Sequence, residues 1–103
     1  MLKIVGVTLD GQLEKDIHIE KFQPSKYKWF WADFYQPSER EIGHLSDTFH
    51  FHPLAIEDCT QRIERPKLDY YDSYTFYVTH IMEEKEEELE KEEINFFVGE
   101  HFI

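Results

Sequence analysis

Within one short stretch the apolar residues change their spacing, and that change constrains the fold more than any other feature. From Lys28 to Tyr35 the chain carries Trp29, Phe30, Trp31, Ala32 and Phe34. The run predicts a strand, and because both of its faces are apolar the expectation is cover on both sides, with the two Trp residues in the core. Pro37-Ser38-Glu39-Arg40-Glu41 follows directly. Ser38 with Glu41 three residues on is a capping box, which pairs backbone N–H groups that a helix start would otherwise leave open. Ile42, Leu45 and Phe49 then fall at i, i+3 and i+7, one stripe of the helix so begun.

The flanks extend this mixture of strand and helix. Leu2 to Leu9 reads as a strand, Asp10-Gly11 as a tight hairpin turn, and Gln12 to Ile19 as the returning strand, placed at an edge or on a wet face by its charges. His52-Pro53 starts a second, shorter helix that should run to about Gln61, since proline suits the first helical position. Arg65-Pro66 marks a break. Tyr74 to Met82 alternates well and reads as a strand, and Ile94 to Val98 is a further strand, with a turn at Gly99-Glu100. His101-Phe102-Ile103 opens another apolar element, from which we expect a chain trimmed from a longer protein. Strands and helices therefore alternate within one domain of mixed class.

Charge narrows the function. Asp and Glu number 22 against 11 Lys and Arg, which argues against nucleic acid or an anionic lipid surface as partner. Glu83 to Glu93 alone holds eight Glu and two Lys. Such a run reads as an extended hairpin arm or loop, with a short helix as the alternative, and as a solvated surface rather than a cation store. The single cysteine, Cys59, excludes an internal disulfide and fits a reducing compartment. No basic-then-apolar leader and no run of about eighteen apolar residues occurs, so neither a secretion signal nor a membrane span is expected within these residues.

The stretch from Trp29 to His80 resembles a known family. It reads Trp31-Ala32-Asp33 at a strand, a capped helix, Phe51-His52-Pro53-Leu54-Ala55-Ile56-Glu57-Asp58, then Arg65-Pro66-Lys67-Leu68-Asp69, Tyr71-Asp72 and the strand from Tyr74. That order is similar to the amino-terminal cytoplasmic domain of CorA-type magnesium and cobalt transporters. The flanks, including Asn95-Phe96-Phe97-Val98-Gly99, match in general character only. The resemblance implies an α/β fold of α+β character, a mixed, largely antiparallel sheet with helices packed on both its faces. It implies that residues 1–103 form this domain, incomplete at its carboxyl end. It implies a homopentameric membrane parent, whose stalk and two membrane helices would follow. The domain would sit on the cytoplasmic side and regulate passage of Mg2+, with Co2+ or Ni2+ as further ions; a zinc-moving relative shares the scaffold. It also implies a regulatory Mg2+ at the subunit interface, with Asp58 as main ligand, Glu57 as second-site or water-mediated ligand, and an acid of the neighbour's stalk opposite.

Other candidates have plainer readings. His44, His50 and His52 invite a zinc site, but His50 and His52 are two apart and no cysteine has ligand spacing, so a capping role for His52 is expected. Cys59 reads as a buried structural thiol rather than a nucleophile. Arg65 and Lys67 are expected to pair with nearby acids and fix the loop that enters the strand from Tyr74. Four glycines and no phosphate-binding loop leave an enzyme without support, and the competing class is a soluble acidic interaction module.

Overall fold

Asp10 and Gly11 do close a hairpin. Gly11 takes a φ of +89°, and its N–H donates to the Thr8 carbonyl at 2.9 Å. The computed structural model describes residues 1–61 and 66–103. The strand before the turn, β1, covers Leu2–Thr8, and the one after it, β2, covers only Leu13–Glu14. The returning strand is thus much shorter than Gln12 to Ile19. Asp16 adopts a φ of +54°, which turns the chain out of extended geometry. Ile17 and Ile19 then pack against Ile4, Phe22 and Phe30 instead of continuing along the sheet edge.

The third strand, β3 (Tyr27–Phe34), pairs antiparallel with β1, giving the order β2-β1-β3. Only one of its faces is covered. Phe30 is 5% exposed, whereas Trp29 and Trp31 are 37% and 43% exposed. The expectation of cover on both sides fails here, and the two indoles lie outside the core. The helices pack on the other side of the sheets, and Trp29 and Trp31 stand opposite Val7 and Val5 across the ladder. Cross-strand contact of that kind shields part of each indole and no more.

Helix α1 spans Glu39–Asp47, with the capping box made as expected: Ser38 Oγ accepts from Glu41 N–H, and Glu41 Oε1 accepts from Ser38 N–H at 2.9 Å. Helix α2 spans Pro53–Thr60. A short strand, β4 (Lys67–Tyr70), stands where a loop was expected, and pairs with β5 (Tyr74–Lys85). The last strand, β6 (Glu88–Gly99), completes the sheet β4-β5-β6. The acidic run is therefore the end of a hairpin arm, turning at Glu86 and Glu87. A strand of this length is about 40 Å long at about 3.3 Å per residue, which accounts for the molecule's 48 Å long axis.

Two apolar clusters hold the layers together. Leu45, Phe51, Ala55, Tyr74, Phe76 and Val78 join both helices to the second sheet, and Ile4, Phe22 and Phe30 underlie the first. Phe49 and Phe102 touch both clusters. Residues 101–103 run parallel to β3, with Phe30 N–H donating to the His101 carbonyl and Ala32 N–H to the Ile103 carbonyl, each at 3.0 Å. The architecture is α/β with largely antiparallel pairing, as the resemblance implies, with the strands divided between two three-stranded sheets.

Candidate metal centre at the end of the second helix

Helix α2 is fixed at its start and along one face. His52 caps it, its Nδ1 accepting from Leu54 N–H at 3.1 Å, while its own backbone N–H donates to the Tyr74 hydroxyl at 2.7 Å. Ala55 is fully buried in the same cluster as Phe76 and Val78. One turn on, Asp58 emerges at the flank of the helix with a half-buried side chain, and Glu57 faces solvent.

The edge strand β4 brings charge to this flank. Lys67 is opposite Val78 and Asp69 opposite Phe76 in the ladder. Side chains of directly paired residues share a sheet face, so Lys67 and Asp69 rise on the side that α2 covers. The Lys67 ammonium donates to Asp58 Oδ2 and lies 3.0 Å from Asp69 Oδ2. One cation thus bridges two carboxylates from two different elements. Its pKa is held above the usual lysine value, first by the hydrogen bond to Asp58 and then by that to Asp69. All three side chains keep contact with water, so each pair is worth about 0–1 kcal/mol. Beside them Tyr71 stacks on Tyr74, with ring centroids 4.9 Å apart. Burial and then the charge of Asp69 push the Tyr71 hydroxyl's pKa up.

The donor set suits a hard divalent cation in part. Two carboxylates converge on one point, and the Lys67 ammonium occupies it. Mg2+ takes one or two carboxylates and keeps several waters, which matches two acids open to solvent. Glu57 does not join them: its Oε1 accepts from Gln61 Nε2 at 3.3 Å. Among the described residues no three His, Cys, Asp or Glu side chains are grouped for metal binding. Asp58 and Asp69 would therefore supply only a minor part of an octahedral coordination sphere, with water or another polypeptide supplying the rest.

The remaining candidates are engaged elsewhere. His44 Nδ1 lies 2.8 Å from Thr48 Oγ1, and its Nε2 lies 3.8 Å from Glu20. His50 occupies a left-handed backbone position, with φ of +57°. The Cys59 thiol donates to the Ile56 carbonyl at 3.1 Å and packs at the rim of the larger cluster. Arg65 lies outside the described residues. Lys67 pairs with nearby acids as expected, although it does so from a strand and not a loop. The part that sequence reasoning missed is Asp69 as a partner of Asp58. Its signal was the alternation of Lys67 and Asp69 with Leu68 and Tyr70, too short a pattern to prove a strand by itself.

Comparison with known proteins agrees with this picture. Residues 26–103 match the family model of the CorA-like Mg2+ transporter protein. Over all 103 residues the chain is 50% identical to the "Putative metal ion transporter YfjQ" of Bacillus subtilis (strain 168), and it covers 32% of that protein. Over 80 residues, 77% of the chain, it is 34% identical to the magnesium transporter ALR2 of Saccharomyces cerevisiae, covering 9% of that protein. The chain spans about a third or less of these relatives, and none of its described helices is long and apolar enough to cross a membrane. The chain belongs to the CorA-like Mg2+ transporter family.

Proposed function

We propose that these residues act as the cytoplasmic regulatory domain of a divalent-cation channel, in a homopentamer whose membrane helices lie elsewhere in the polypeptide. The ion sensed is Mg2+, held between Asp58 of one protomer and an acid of its neighbour, with Glu57 acting through water or at a second position. The observation that carries this reading is a surface cation position between Asp58 and Asp69, already filled by the Lys67 ammonium. Only carboxylate oxygens contribute there, which favours a hard ion such as Mg2+ over zinc. The family's transport role supports a channel over an interaction module or an enzyme.

An ion shared between subunits would neutralise facing carboxylates and hold one arrangement of the pentamer. Its loss would restore like-charge repulsion and shift the population towards the conducting state. The test is Mg2+ uptake by the full-length transporter in liposomes, with Mg2+ varied on the side facing this domain. Wild type should shut as that Mg2+ rises, and Asp58→Ala should stay open. Equal shut-off in both refutes the regulatory role.

A further inference from the structure

We propose that Lys67 is a tethered competitor of the divalent cation, and that it sets the concentration at which the Asp58 site responds. The inference rests on the reading of Asp58 as a ligand and adds to it what must leave before the ion binds. Lys67 is the residue across the gap from α2, and its ammonium hydrogen-bonds Asp58 Oδ2 while lying 3.0 Å from Asp69 Oδ2. A metal ion bound at Asp58 would put two positive charges within a few ångströms of each other. Binding is therefore an exchange, with the ammonium swinging out as the ion arrives.

The geometry permits the swing. The Lys67 side chain is 39% exposed, so water lies on one side of it. Lysine carries its charge on a flexible four-carbon stem, and the strongly hydrated ammonium is stable in solvent. Without divalent cation the ammonium neutralises Asp58 in place. Any ligand that binds only one of two states shifts the balance by its differential affinity, and the lysine reduces that affinity by preferring the empty state.

The test is the Mg2+ concentration that half-protects the full-length transporter from limited proteolysis, a readout independent of transport. Lys67→Met and Lys67→Gln should each lower that midpoint about five-fold, the equivalent of about 1 kcal/mol for an exposed pair. Lys67→Arg keeps a cation in place and should leave the midpoint at or above that of wild type. Lys28→Met removes an exposed lysine of β3 and controls for net charge. Thermal melting without Mg2+ establishes that each variant is folded. The proposal is overturned if both neutral variants stay within about two-fold of wild type, if Lys28→Met lowers the midpoint as much, or if Lys67→Arg lowers it too. Asp58→Asn separates the two levels: protection that survives it refutes Asp58 as a ligand, whereas its loss beside unshifted Lys67 variants refutes the competitor alone.

Discussion

Cys59 and Asp58 are neighbours in α2, yet the helix turns them to different surroundings. Asp58 meets an ammonium at the rim, while Cys59 turns inward and its thiol donates a hydrogen bond to the Ile56 carbonyl. Burial, with further contributions from the charges of Asp58 and Glu93, pushes the Cys59 thiol up to about 11 from an ordinary 9.0. At about pH 8 that leaves about 100-fold less thiolate than in a thiol of ordinary pKa. Cys59 should therefore react slowly with a disulfide reagent in the native 103-residue chain and rapidly in denaturant. Fast native labelling would mean that the thiol is not packed. The sign for stability follows. A group whose pKa rises on folding contributes below its unfolded value, so this contribution declines as pH climbs from about 9 towards about 11.

At the scale of elements, the least comfortable piece is the turn of the acidic arm. Glu86 and Glu87 have φ of +49° and +68°. Two left-handed residues in succession define the hairpin turn that favours Asn-Gly, and glutamate adopts it at a cost. Replacing Glu86 with Asn and Glu87 with Gly should stabilise the arm by about 0.5–1 kcal/mol. Amide exchange in residues 80–94 should then slow, with little change in the core strands, because arms of this kind open locally. Unchanged exchange in the arm would contradict the turn as described. The same elements mark what the sequence could disclose. The Asp10-Gly11 turn, the Ser38–Glu41 box and the His52-Pro53 start were legible because each is decided by residues adjacent or within one turn of each other in sequence. The brevity of β2, the existence of β4 and the partnership of Asp58 with Asp69 were not. Those depend on ladder register and on where the helices settle, which no local pattern records.

Over the whole molecule, helices cover one side of the sheets and leave Trp29 and Trp31 half exposed on the other. These are the only two tryptophans in the chain, so fluorescence reports on that face alone. The 103-residue chain should emit at long wavelength and be quenched readily by acrylamide, and blue-shifted, protected emission would show that the face is covered in solution. Phe49 and Phe102 bind the two clusters into one body, so the flank of α2 and edge strand β4 keep a fixed relation to the first sheet. Under the proposed reading, that rigidity would let an ion bound by the carboxylate at the end of α2 pull on the entire domain. The most direct test is calorimetric titration of Mg2+ into the full-length protein, wild type beside Asp58→Asn. The account predicts that the variant loses one class of Mg2+ sites that the wild type has. Identical titration curves for the two proteins would contradict it.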